Sequence, residues 1–148
     1  MYGDTTAMRK RADQLREQGV DITQTADRLV AEADGIDWTG RAAEAMRARI
    51  HDRAGHLREA AGHHEAAADS LGRHLTEVDR LKDSIAGLEH RARSLQADAQ
   101  SREARARQDP GGPAVPAEAD QALLAFVPPP AGHKDWLTVD LPGLSGSR

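Results

Sequence analysis

The sequence predicts an all-α protein, organised as an antiparallel helical hairpin whose second helix is long. Residues 1–108 contain no proline and are rich in Ala, Arg, Glu and Leu, which are good helix formers. Apolar residues recur through this part at alternating spacings of three and four, as on one face of a helix. The turn-like break in that pattern is Trp38-Thr39-Gly40, so two helices are expected to meet there.

Helix one is predicted over about residues 4–34. Its seam alternates large residues (Met8, Leu15, Ile22, Leu29 and Ile36) with small ones (Ala12, Gly19, Ala26 and Ala33). A line of small residues lets a second helix approach closely. Close packing would explain Gly19, because glycine inside a helix is about 1 kcal/mol less favourable than alanine.

The turn is predicted over residues 35–40. Trp38 is expected to cover the end of the seam with its large flat ring. Thr39 is expected to cap the second helix, its hydroxyl accepting from a free backbone amide. Gly40 permits the tight reversal of the chain.

Helix two is predicted over about residues 41–107, a length of roughly 100 Å. Its seam is expected to include Ala60, Ala67 and the two histidines His64 and His74. Helix one is about half as long and can cover helix two only to about Leu71 or Leu75.

Beyond that point an apolar stripe continues, and it is predicted to be a partner interface: Val78, Leu81, Ile85, Leu88 and Leu95. Burying each of these side chains is worth about 1.5–3 kcal/mol, so something is expected to cover them. A second copy, a different hairpin, or helix two folding back near Gly87 would each do so. A partner is preferred, because an isolated two-helix hairpin has a thin core.

Residues 109–148 are predicted to be a mostly disordered tail. All seven prolines lie between Pro110 and Pro142, and the stretch 109–113 cannot continue a helix. The run 128–130 is expected to be a stiff spacer. Two pieces, 122–127 and 136–139, carry apolar residues; they are either short docking segments or isolated apolar residues in a flexible tail.

The composition excludes several classes of function. Twenty basic residues stand against 24 acidic ones, and a net charge of −4 argues against nucleic-acid binding. No cysteine is present for disulfide or thiolate chemistry. The sequence predicts no conventional signal peptide and no membrane insertion, because neither kind of apolar run is found.

Catalytic and metal chemistry are not predicted. His56, Glu59 and His63 lie on one helical side, but a complete set of ligands is not evident, so no metal and no cofactor are expected. No pairing of a nucleophile with a base is found. Acidic and basic residues alternate at helical spacing, as on solvated faces. The chain is therefore predicted not to be an enzyme.

His64 and His74 suggest a pH-sensitive seam. A buried imidazole is expected to be neutral, and its protonation below about pH 6.5 would weaken helix packing. The alternative is that both histidines are partly exposed and tolerated in a loose seam. Melting temperatures at two pH values on either side of this range would distinguish the two hypotheses.

The turn, placed between two such helices, resembles the WXG family of type VII (ESX) secretion. The stretch 38–46 is similar to that family's Trp-x-Gly turn and helix-two start, and 56–71 resembles its longer actinobacterial variant. The resemblance covers about residues 5–100. It implies a four-helix bundle made of two hairpins, often a heterodimer, which a membrane-embedded ATPase-driven apparatus exports.

The sequence departs from that family in one respect. The family's export signal is a Tyr on helix two with an acidic residue four positions later, whereas the one tyrosine here is Tyr2. His74 lies where a Tyr would be expected, and the fourth position after it is Val78. The partner is therefore expected to carry the signal, or else this chain is an accessory of the system.

Together these observations predict a non-enzymatic substrate, or chaperone-like partner, of a type VII secretion system. Its partners would be another WXG-type protein or a second copy, and the secretion machinery. It would be cytoplasmic before export, then secreted or at the cell surface by a route independent of a signal peptide. The alternative is a self-associating coiled-coil scaffold unrelated to secretion.

Overall fold

A computed structural model describes residues 5–112 and 115–144. Its elements are helices α1 (Thr5–Asp34), α2 (Arg41–Gln108) and α3 (Glu118–Ala125), and a 3-10 helix at Lys134–Thr138. The described residues contain no strand, so the predicted all-α class is confirmed. The predicted ranges of the two long helices lie within one residue of α1 and α2.

The described residues divide into two compact units between Glu77 and Val78, and α2 contributes to both. The first unit contains α1 and the beginning of α2, and is called here the helix pair. The second contains the rest of α2, α3 and the 3-10 helix, and is called the C-terminal unit.

The seam of the helix pair consists mainly of alanine. Buried residues recur there every seven positions, at Ala12, Gly19, Ala26 and Ala33 on α1 and at Ala54, Ala61, Ala68 and Leu75 on α2, and Ala43 near the beginning of α2 is buried as well. Gly19 faces Ala61, Asp27 binds Arg58, and Asp34 contacts His51. Rising numbers on α1 meet falling numbers on α2, so the two helices run antiparallel.

Close approach at Gly19 is confirmed. A Cβ added to Gly19 would lie 3.3 Å from the carbonyl oxygen of Ala61 and 3.6 Å from the Cβ of His64. The small residues of α1 are therefore buried where they let α2 approach closely, as their spacing suggested.

The seam of α2 differs from the prediction by one residue. Ala61, Ala68 and Leu75 are buried, whereas Ala60 is half-buried, and Ala67 and His74 are exposed. One residue corresponds to a rotation of about 100° around a helix, which is enough to move a side chain out of the seam. The prediction that His74 lies in the seam is therefore wrong.

The C-terminal unit has a core of larger side chains. It is formed by three residues of α2 and four that follow it: Ile85, Ala92, Ala99, Leu123, Trp136, Leu141 and Leu144. Trp136 is fully buried, and its ring meets Phe126 edge-on at a centroid distance of 6.1 Å. The predicted disorder of the tail is wrong for the described residues 115–144, because Leu123, Trp136, Leu141 and Leu144 are buried in one core with residues of α2.

Candidate interaction surfaces

The turn between α1 and α2 leaves its tryptophan half-exposed. Trp38 is 49% exposed, so the prediction that it covers the end of the seam holds only in part. It lines a small apolar cleft with Ile36, Met46 and Ile50. The predicted cap is wrong, because α2 begins at Arg41 and the preceding residue is Gly40 rather than Thr39.

Gly40 is required by its backbone conformation. Its φ of 103° is one that side-chain-bearing residues rarely adopt. The carbonyl of Gly40 accepts the first helical bond of α2, from the amide of Glu44 at 3.1 Å. This conformation is compatible with the predicted role of Gly40 in the chain reversal.

Arg47 holds the turn through three hydrogen bonds, and it was not among the residues predicted from the sequence. Its guanidinium donates to the carbonyl oxygens of Ala33 at 3.2 Å, Ile36 at 2.7 Å and Trp38 at 2.7 Å. The last carbonyls of a helix have no partner within it, so a cation at this point is favourable. The need of these carbonyls for a donor could have predicted an arginine near the beginning of α2. Arg47 was not distinguished, however, because it lies among many arginines spaced as on a solvated surface.

Larger apolar side chains flank the alanine seam on one side. Each lies one helical turn before a seam position or continues that row at the turn. Together they are called the apolar face: Met8, Leu15, Ile22 and Leu29 on α1, Ile36 in the turn, and Met46, Ile50, Leu57, His64 and Leu71 on α2. In an antiparallel pair, rows displaced from the seam in the same sense lie on the same side. These side chains are half-buried or exposed, with Ile36 at 46% and Met46 at 41%.

The opposite side of the helix pair is polar. A groove there is lined by Arg16, Val20, Thr23, Arg58 and Glu65, among others. Both arginines bind carboxylates of the facing helix, Arg16 to Asp69 at 3.4 Å and Arg58 to Asp27 at 2.7 Å. This side is therefore suited to water, and the apolar face is suited to a partner.

His64 lies within the apolar face. It is half-buried, and its Nδ1 is buried without a hydrogen-bond partner in the part of the chain that the structure describes. The pH-sensitive seam stays a prediction for His64 alone, since His74 is exposed.

The stripe predicted as a partner interface is largely covered by the chain itself. Ile85 is 2% exposed within the core of the C-terminal unit, and Leu88 and Leu95 pack against that core. Val78 and Leu81 are half-buried. The premise that this stripe needs a partner is wrong, because α3 and the segment after it occupy the surface. The fold-back near Gly87 does not occur either, since α2 is continuous there.

Polar contacts hold residues 118–144, called here the covering segment, against α2. The amide of Gln96 donates to the carbonyls of Leu123 at 3.3 Å and Phe126 at 3.1 Å. Arg102 binds Asp120 through two hydrogen bonds of 3.0 Å and 2.6 Å. The hydrogen bond from Arg102 lowers the pKa of Asp120, and the same bond raises the pKa of Arg102.

His56, Glu59 and His63 are exposed, and within residues 5–112 and 115–144 no three potential ligands are grouped to hold a metal ion. None of the described helices is apolar over a stretch that would span a bilayer.

Comparison with protein families, with curated proteins and with solved structures finds no match to this chain.

Proposed function

We propose that this chain works by helix–helix association, as a substrate or chaperone-like partner of a type VII secretion system. Its helix pair would bind a second helical hairpin through the apolar face, and the two hairpins would form a four-helix bundle. The second hairpin would be another WXG-type protein or a second copy of this chain.

The observation that carries this proposal is the contrast between the two cores. Of the apolar residues buried in the helix pair, all but Leu75 are alanines, whereas the C-terminal unit buries Ile85, Leu123, Trp136 and two further leucines. Burial of alanine contributes little free energy per residue compared with leucine or tryptophan. The helix pair therefore gains from a partner, and the C-terminal unit already has its own cover.

The shape of the apolar face favours a helical partner. Its members recur at seven-residue intervals along most of α1 and along α2 from Ile50 to Leu71. Such parallel rows with a shallow alanine seam between them fit the ridges of another helix pair. A partner placed there would cover the half-buried Leu15, Ile22 and Leu57, and it would enclose the unpaired Nδ1 of His64.

The secretion context is supported by the resemblance of residues 5–100 to the WXG family. The Trp-x-Gly turn stands between two helices of the expected kind, and Gly40 has the backbone conformation that such a turn needs. The helix pair also keeps Trp38 accessible at its closed end, where a second protein can reach it.

Association is tested with Leu15→Asp combined with Leu57→Asp, which places two charges on the apolar face. The chain would be co-expressed with the products of neighbouring genes, purified, and sized by analytical ultracentrifugation. We expect a complex or homodimer for the natural chain and a helical monomer for the double variant. Val20→Asp is the matched control, because Val20 is 55% exposed in the polar groove.

The same samples separate the proposal from its alternative. Release into the culture medium that depends on the export ATPase supports secretion. A homodimer that stays in the cell in the presence of that ATPase supports a scaffold. A natural chain that is monomeric with every neighbouring product would contradict both.

A further inference from the structure

The loop between α1 and α2 depends on one side chain for its hydrogen bonds. In the described chain, the hydrogen bonds made by residues 36–39 are the two that Arg47 donates to the carbonyls of Ile36 and Trp38. Arg47 also donates to the carbonyl of Ala33, which lies in the last turn of α1. One guanidinium thus joins the beginning of α2, the end of α1 and the connecting loop.

We infer that Arg47 is a positioning residue for Trp38. The indole lies beside Ile36, Met46 and Ile50, three members of the apolar face, and so extends that face around the closed end. Packing alone holds the ring weakly, because it is half-exposed and the neighbouring Ile36 and Met46 are exposed as well. The direct hydrogen bond to the carbonyl of Trp38 fixes the backbone that carries the ring.

The chemistry of arginine suits this task. Its planar guanidinium presents five donors in a fixed fork, so one side chain can satisfy three carbonyls that point at it from different segments. Lysine carries a single ammonium group on a flexible stem and cannot reproduce that geometry. The inference therefore requires arginine and not merely a positive charge at this position.

A consequence follows for binding, and it rests on the proposed function. If the apolar face binds a second hairpin, Trp38 adds a large aromatic contact at one end of that interface. Aromatic residues that are rigidly held contribute most to such interfaces, because little side-chain freedom is lost on binding. Arg47 would then set the affinity without touching the partner.

The test compares Arg47→Met and Arg47→Lys with the natural chain by acrylamide quenching of tryptophan fluorescence. Trp136 is fully buried, so the quenchable signal comes from Trp38. We expect quenching to rise in both variants by up to about twofold, because Trp38 is 49% exposed as a residue and can about double its accessible surface when released. Arg49→Met is the control, since Arg49 is exposed two residues further along α2.

If the tryptophan fluorescence of Arg47→Met is quenched no more than that of the natural chain, and helix content is retained, the inference is overturned. Natural quenching in Arg47→Lys would also overturn it, since a point charge would then suffice. Arg47→Lys keeps the charge and a good helix former, so it decides the question even if Arg47→Met does not fold.

Association provides the second measurement. We expect Arg47→Met and Trp38→Ala each to weaken assembly by about tenfold, while Arg49→Met has no effect. If the natural chain binds no hairpin at all, the proposed function fails, and quenching still decides the role of Arg47. If the natural chain assembles and Arg47→Met assembles equally well, the contribution of Arg47 to binding is refuted.

Discussion

Gly19 lies where the backbones of α1 and α2 approach each other, and Gly55 lies on the same helix pair in open space. An added Cβ would be 3.3 Å from a backbone oxygen at Gly19 but would meet nothing within 4 Å at Gly55. The contrast explains why a glycine is kept in the seam, where helix propensity alone would favour alanine. Replacing both glycines by the same residue therefore separates the effect of helix packing from the effect of helix propensity.

We predict opposite effects for Gly19→Leu and Gly55→Leu. Gly19→Leu should lower the free energy of unfolding by about 1–3 kcal/mol, because the larger side chain pushes the helices apart. Gly55→Leu should raise it by up to about 1 kcal/mol, because leucine is the better helix former. Urea unfolding followed by circular dichroism measures both; equal changes would show that the seam is not tightly packed at Gly19.

The ion pair between Arg102 and Asp120 predicts a pH dependence for the C-terminal unit. The pKa of Asp120 is lower in the folded chain than in the unfolded one, so the stabilisation is fully present above the unfolded value of about 4. It is lost as the pH falls through the lower, folded value. Asp120→Asn should therefore destabilise the unit at neutral pH and converge with the natural chain in strong acid.

This difference can be followed by the fluorescence of Trp136 during urea unfolding at neutral and acidic pH. If the difference in stability between the natural chain and Asp120→Asn persists unchanged in acid, the pH dependence does not come from the Asp120 carboxylate. Glu118→Gln is a suitable control, since Glu118 is exposed in the same first turn of α3.

At the scale of elements, the two long helices were predicted from the sequence, whereas the covering segment was predicted only as one of two alternatives. The absence of proline and the spacing of three and four residues define α1 and α2 almost to their ends. The seam residues of α1 followed from their size. In α2 many alanines lie side by side, so apolar spacing alone did not distinguish Ala60 from Ala61.

Docking of 122–127 and 136–139 was one of two alternatives left open, and the sequence could not decide between them because the apolar residues there follow no helical or strand period. Leu123, Trp136, Leu141 and Leu144 reach one core from a short helix, a 3-10 helix and irregular chain. The available signal was that two of the four aromatic residues, Phe126 and Trp136, lie in this segment. The apolar face was not predicted, because the large residues that form it on α1 were assigned to the seam between the two helices.

We predict that Trp136→Ala releases the covering segment. Removing a fully buried tryptophan should lower the stability of the C-terminal unit by about 3–5 kcal/mol, because it leaves a large cavity. Residues 118–144 should then be cleaved readily by protease and exchange their amide hydrogens quickly. Trp38→Ala, the control, should leave their protection unchanged; protection that also survives Trp136→Ala would show that this ring does not hold the segment.

At the scale of the whole molecule, the two units are stabilised in different ways. The C-terminal unit has large buried side chains and polar contacts from Gln96 and Arg102 to the segment that covers it. The helix pair has an alanine seam and ion pairs between exposed side chains, which contribute roughly 1 kcal/mol or less each. The C-terminal unit therefore has a core of large side chains, whereas under the proposed function the helix pair gains its further stability from assembly.

We therefore predict that the helix pair, and not the C-terminal unit, becomes more stable as the concentration of its partner rises. Mass action gives up to about 1.4 kcal/mol for each tenfold increase in partner above the dissociation constant. The units can be followed separately in Trp136→Phe and Trp38→Phe chains, each of which keeps one tryptophan as a reporter. Leu15→Asp with Leu57→Asp should abolish the effect, whereas Leu88→Asp should weaken the C-terminal unit and leave the effect intact. If the stability reported by Trp136 rises with the concentration of the partner and that reported by Trp38 does not, the interface lies on the stripe of α2 and not on the apolar face.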